Sequence, residues 1–204
     1  MISDLKKPLV LASSSASRAA ILKSAGLSFT AIPARIDETA LIESLEAEGA
    51  KPRDIADALA EAKTLKVAAS IPPPALVIGA DQLLVCEGRI FEKPRDRAEA
   101  VSHLAFLQGK THELVGCVCG ATGGAVIWRH VSVARLTLRT MDAAAIEDYL
   151  DAAGPDILNS VGCYHLEGLG VHLMSRIDGD FYSILGLPIL PVLDFLRAQG
   201  ALAP

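Results

Sequence analysis

Short apolar runs bounded by Pro, Gly and Ser alternate along this chain with longer segments whose apolar residues recur at helical spacing. Leu9 to Ala12 is such a run, closed by a serine cluster, and its length predicts a buried strand. From Arg18 the spacing turns helical and ends at Gly26, a residue suited to close a helix. The serines Ser13 to Ser17 therefore lie on a strand-to-helix turn, where unpaired backbone N–H groups make a natural anion site. Leu27 to Ile32 alternates like a second strand. Pro52 opens a helix running towards Ala69, which Pro72-Pro-Pro ends as a stiff link.

Ala75 to Ala80 predicts another buried strand, ending at Asp81, and Leu83 to Ile90 continues as strand with a hairpin-like turn at Glu87-Gly88. Arg95 to Leu107 reads as helix, and His112 to Leu138 as two long strands joined around Thr122-Gly-Gly. A helix over Asp142 to Ala152 follows, then strands near Val161–Leu166 and Val171–Ile177, and a last helix from Pro188 to Ala198. Helices and strands alternate on both sides of the proline link, so the pattern predicts one α/β domain over residues 1–204. Its expected form is a mixed sheet with flanking helices, two lobes and a central cleft.

Composition narrows the function classes. Of the 204 residues, 51% are hydrophobic, enough to bury a sizeable core. A net charge of −5 argues against binding polymeric nucleic acid, which requires a basic face, yet leaves room for a small polyanion met by a local Arg and Lys cluster. The run from Pro8 to Ala12 is too short for a signal-peptide core, and nothing approaches a membrane span. Cys86, Cys117, Cys119 and Cys163 stand in apolar contexts without the usual zinc spacing, which predicts buried free thiols and a cytoplasmic location. Cys117 and Cys119 face one side of a strand and read as packing. Trp128 reads as core, and His112 as a hydrogen-bonded structural histidine.

No Walker A sequence and no complete G-x-G-x-x-G is present. Three other segments carry candidate chemistry: Ser13-Ser-Ser-Ala-Ser-Arg18, Gly79-Ala-Asp81-Gln82 and Glu92-Lys93-Pro94. A carboxylate at the end of an apolar strand is costly unless it meets a metal or a cation. A lysine before proline is held extended and can project from a loop end. Together they supply a metal carboxylate, phosphate cations and an anion-binding turn, the inventory for hydrolysing a phosphoanhydride.

These segments resemble the motifs of the Maf-like family. Leu11 to Arg18 is similar to its opening motif, Ile36-Asp37-Glu38-Thr39 to its acidic motif, and Leu59 to Lys63 to its lysine-bearing helix. Gly79 to Gln82, Glu92 to Pro94, Gly109 to His112, Tyr164 to Gly170 and Leu185 to Pro188 follow in family order along nearly the whole chain. The resemblance implies an elongated α/β fold with a deep cleft, often dimeric, and a nucleoside triphosphate pyrophosphatase using Mg²⁺ or Mn²⁺. By it, Asp81 is the proton acceptor and touches the metal, and Glu38 is a second metal carboxylate. Arg18, Lys63 and Lys93 clamp the triphosphate, with Ser13 and Ser15 at the turn. Ser17, Gln82 and Glu167 stand where the family sorts its substrates. Gln82 and Glu167 match the 7-methyl-GTP subgroup, but Ser17 replaces that subgroup's Trp. Ala19 replaces the family's second Arg, removing a phosphate contact or a structural salt bridge, and Gln108 replaces a Ser. The alternative is a non-enzymatic, nucleotide-binding regulator of cell division, and the intact set of Glu38, Asp81 and Lys93 argues against it.

Overall fold

The computed structural model describes residues 4–203. Seven strands, β1 (Leu9–Leu11), β2 (Thr30–Ala31), β3 (Leu76–Cys86), β4 (Arg89–Phe91), β5 (Thr111–Thr122), β6 (Ala125–Leu138) and β7 (Met174–Asp178), join in one mixed sheet. The order is β2-β1-β3-β5-β6-β7, with β4 paired to β3. β1 runs parallel to both β2 and β3, whereas β4 and β7 are antiparallel to their neighbours. Helices α1 (Ala16–Ser24), α2 (Glu38–Ala47), α3 (Pro52–Ala68), α4 (Arg97–Leu107), α5 (Ala143–Ala153), α6 (Phe181–Ile184) and α7 (Ile189–Ala198) flank it. The α/β class expected from the sequence is the one observed.

The chain divides into two compact units, Met1–Gln82 with Gly116–Ser132 and Gly186–Pro204, and Leu83–Val115 with Val133–Leu185. In the first, Pro52 begins α3, where its missing N–H costs nothing. The buried row Ile55, Leu59, Lys63 and Val67 of α3 follows helical spacing and lies against the sheet, with Val67 and Ala68 clustered on Val77. Gly79 sets how close α3 comes. A Cβ there would collide with Thr64 Oγ1 and stand 2.9 Å from the Thr64 backbone nitrogen. α7 packs Phe195 onto Gly120 and stacks it on Trp128, with ring centroids 4.8 Å apart.

The second unit is built on one apolar cluster that includes Leu84, Phe91, Leu104, Leu136, Leu150 and Tyr164. Asp96 and Asp142 cap α4 and α5 by accepting from Glu99 N and Ala145 N. Gln108, the family departure, accepts from Met141 N at 3.3 Å. His112 is 1% exposed and shares a 2.7 Å hydrogen bond between Nε2 and the Tyr164 hydroxyl.

Three local expectations need correction. Val161–Leu166 is not a strand. Gly162 and Cys163 take φ of 77° and 58°, outside the extended region, and the segment folds into tight turns. β3 does not end at Asp81 but passes through it to Cys86. Glu38–Ala47 forms a helix that the apolar pattern did not announce, because only Ile42 of it is buried.

Burial lowers the pKa of His112 from the ordinary 6.5 to about 4, so the folded state binds its proton later than the unfolded chain does. The stability this brings is complete above the unfolded value and is lost as pH falls from 6.5 towards 4. Between pH 7 and pH 5 the wild type should lose about 2 kcal/mol more than His112→Gln, which keeps a hydrogen-bonding amide but no proton to gain. Urea midpoints at the two pH values measure this, and equal losses would remove His112 from the account.

Candidate functional site

In the first unit, the turn after β1 and the close contact of α3 with β3 gather most of the sequence-predicted site residues. Ser15 caps α1, its hydroxyl accepting from Arg18 N at 3.3 Å. The buried Ser13 hydroxyl accepts from Ser15 N at 3.1 Å and from an Arg18 terminal nitrogen at 3.2 Å. Arg18 Nε donates to the Gly186 carbonyl at 3.0 Å. The guanidinium is thus fixed from two sides, by Ser13 of its own turn and by Gly186, 168 residues further along the chain.

Asp81 and Gly79 share a face of β3, by strand alternation, and that face meets α3. With no side chain on Gly79, α3 comes near enough for Lys63 Nζ to donate to Asp81 Oδ1 in a charge-assisted bond. The same Nζ lies 2.7 Å from Glu38 Oε2. Glu38 is the first residue of α2, which Asp37 caps by accepting from Ala40 N at 3.0 Å. Lys63 and Asp81 are 8% and 6% exposed, whereas the Glu38 side chain is about half exposed at 49%. One buried ammonium therefore ties two carboxylates from separate elements.

Desolvation dominates the electrostatics. Burial raises the Asp81 pKa above the ordinary carboxyl value, and the attraction of Lys63 and then Arg18 offsets only part of that. Burial also lowers the Arg18 pKa, against the pull of Asp81 and Glu38, but a guanidinium keeps its charge in either case. Two cations and two carboxylates thus balance, and one carboxylate is held in a setting that favours taking up a proton.

The remaining predicted residues are distributed as follows. Ser17 is half-buried on α1, next to Arg18. Gln82 is half-buried, and its Oε1 would stand 3.8 Å from a Cβ on Gly186, so its amide lies beside the segment that holds Arg18. Lys93 and Glu167 belong to the second unit and are exposed there, Lys93 between β4 and α4 and Glu167 in the turn that Gly168 N closes on His165 O. Sequence reasoning assigned Gly186 no role. Its φ of 96° is open to glycine, and the carbonyl it presents anchors Arg18. The signal lay in Leu185-Gly-Leu-Pro188, already set apart as a motif.

Comparison with known proteins gives a consistent set of relatives. A profile of the Maf-like protein family matches residues 8–199. A nucleoside triphosphate pyrophosphatase 1 of Jannaschia sp. (strain CCS1) is 50% identical over 196 residues, 96% of this chain and 98% of the relative. A nucleoside triphosphate pyrophosphatase of Nitrobacter hamburgensis is 48% identical, covering 97% of this chain and 96% of its own. A 7-methyl-GTP pyrophosphatase of Rhizobium meliloti is also 48% identical, covering 97% and 99%.

Removing one partner of a buried ion pair leaves an uncompensated charge, at a cost of about 3–5 kcal/mol. Lys63→Met should lose stability on that scale, and Lys63→Met combined with Asp81→Asn should be less costly than Lys63→Met alone. A urea double-mutant cycle checks this. A single-variant loss under about 1 kcal/mol, the size of an exposed pair, would deny the bridge its structural weight.

Proposed function

The chain belongs to the Maf-like protein family, and on that basis we infer that it is a nucleoside triphosphate pyrophosphatase, yielding nucleoside monophosphate and pyrophosphate. The observation that carries the reading is the cluster of buried Asp81 and Lys63 with half-exposed Glu38, and Arg18 beside the strand-to-helix turn. Hydrolysis between the α- and β-phosphorus needs a water to lose a proton as it attacks. It also needs positive charge to meet the oxyanions, because positioning and charge stabilisation do most of the work in phosphoryl chemistry.

Asp81 is assigned the proton. The water oxygen bonds to the α-phosphorus, the bond to the bridging oxygen breaks, pyrophosphate leaves, and the water's proton passes to the Asp81 carboxylate. A carboxyl group whose pKa is raised by burial is a better acceptor than an exposed one, since general bases work best when their pKa approaches the working pH. Arg18, locked by Ser13 and Gly186, offers a guanidinium that need not reorganise when phosphate charge develops. Lys63 holds both carboxylates in place and adds a second positive charge. Lys93 takes its phosphate role from its motif alone.

Glu38 and Asp81 also suit a metal. Two carboxylates from different elements that converge on a single cation form an oxygen donor set of the kind Mg²⁺ and Mn²⁺ prefer. These two residues would hold such an ion, which when bound supplies further charge neutralisation at the phosphate oxygens.

The base preference is proposed from Gln82, Glu167 and Ser17. A carboxylate at Glu167 suits the adjacent N1–H and N2–H donors of guanine and would repel the carbonyls of a pyrimidine. Methylation at N7 makes the base cationic and strengthens the attraction. Ser17 offers no aromatic platform, and stacking in comparable sites is worth ~1–3 kcal/mol per base. The proposed preference is therefore for guanine-type triphosphates, 7-methyl-GTP included, with loose discrimination among them.

Asp81→Asn should lower turnover by about 10²–10⁴-fold while the protein stays folded. Phosphorus NMR should show monophosphate and pyrophosphate as primary products, with activity lost in chelator and restored by Mg²⁺ or Mn²⁺. An Asn variant with wild-type turnover would sink the Asp81 assignment, and nucleoside diphosphate with orthophosphate would sink the reaction.

For the base, kcat/KM for GTP and 7-methyl-GTP should exceed that for dTTP and UTP, and Glu167→Gln should narrow the gap. A preference of the unaltered protein for dTTP or UTP would overturn the guanine assignment and leave the pyrophosphatase reading intact.

A further inference from the structure

Asp57 lies on α3, ahead of Lys63 and apart from the residues assigned to the reaction. Facing it on β5 are Cys117 and Cys119, two positions apart and therefore on one side of the strand. Both thiols are buried, and both point at the same carboxylate oxygen. Cys117 Sγ lies 3.2 Å and Cys119 Sγ 3.8 Å from Asp57 Oδ1. Each thiol is placed to donate to that oxygen, and the three ligand atoms all fall within 4.8 Å of one another, a polar grouping beyond the packing role read from the sequence.

The spacing is that of a coordination sphere. Around a tetrahedral ion with sulfur at about 2.3 Å and oxygen at about 2.1 Å, neighbouring sulfur and oxygen ligands stand about 3.6 Å apart. The two observed separations bracket that value. Donor type separates this group from Glu38 and Asp81, because two sulfurs favour a soft or borderline ion such as zinc over magnesium or manganese. Asp57 is about a third exposed, at 34%, which gives an ion a way in.

We propose that Asp57, Cys117 and Cys119 form a binding site for a thiophilic divalent cation of the zinc class, with three protein ligands and the fourth position left to solvent. Binding forms two metal–sulfur bonds and one metal–oxygen bond and releases the two thiol protons to solvent. One doubly charged ion thus replaces two protons, so the charge of the buried site does not change and no unpaired charge is buried. Arg129 on β6 now donates to both Asp57 oxygens at 2.9 Å and pairs with Glu61 at 2.8 Å. Glu61 lies one helical turn beyond Asp57 and can keep the guanidinium when Asp57 turns to the ion. The ion would fasten α3 to β5 on the same helix that presents Lys63.

The test is to titrate the metal-stripped full chain, with its thiols reduced, using Co²⁺ alone. A thiolate-to-cobalt charge-transfer band should grow to saturation at one ion per chain and bleach when Zn²⁺ is added. It should vanish in Cys117→Ser and in Cys119→Ser and persist in Cys86→Ser and Cys163→Ser. Asp57→Asn should weaken binding by at least ~10-fold, no less than the loss of an outer-shell partner. Cobalt bound at Glu38 and Asp81 has only oxygen ligands and cannot give the band. Saturation of the wild type without a sulfur band, or a band that survives in Cys117→Ser and Cys119→Ser, would overturn the site.

Discussion

A buried ammonium shared by two carboxylates is the interaction around which the first unit is arranged. Neither Lys63 nor Asp81 could be buried alone, since an unpaired charge in an apolar interior costs several kcal/mol. Pairing them demands a close approach of helix to strand, and that approach demands a residue without a side chain at position 79. The Thr64 hydroxyl beside the gap is satisfied by the Ala60 carbonyl at 2.6 Å, so closing the gap strands no polar group. Helix register, a glycine and a buried ion pair are in this sense one constraint.

From that constraint the place of Glu38 follows. With Lys63 fixed, Glu38 reaches it only because Asp37 starts α2 one residue earlier and aims the first turn. Arg18 is fixed independently, by a hydroxyl from its own turn and a carbonyl from the start of the C-terminal segment. Four charges are therefore positioned by five stretches of chain, which backbone, helix-cap and side-chain bonds tie to one another more than once. Such redundancy suits a site that must meet a highly charged ligand without rearranging.

Much of this was legible locally, and what was not is instructive. The strand-to-helix turn at Ser13–Ser17 and the Gly123-Gly124 hairpin turn have chemistries confined to a few residues, and they lie where the pattern placed them. The motif order located Glu38, Lys63 and Asp81, but nothing local says that Lys63 bridges the other two. The clue was its place in the row Ile55, Leu59, Lys63, Val67, where a charge interrupts an apolar stripe and must find a partner across the interface. Apolar content failed at Val161–Leu166 because it does not register the positive φ of Gly162 and Cys163. It failed at α2 because a helix lying mostly in solvent leaves little stripe to see. The contact of Cys117 and Cys119 with Asp57 joins residues 60 and 62 positions apart, beyond any local signal.

The stacking of Trp128 on Phe195 has a practical consequence. Trp128 is the chain's single tryptophan and lies in the first unit, whereas all three tyrosines, Tyr149, Tyr164 and Tyr182, lie in the second. The two units are therefore spectroscopically distinct without any label. Red-edge excitation selects the indole and follows the packing of α7 over Gly120, and tyrosine absorbance follows the core around Tyr164. Whether the halves melt as one cooperative body or as two is written into the chain's own chromophores.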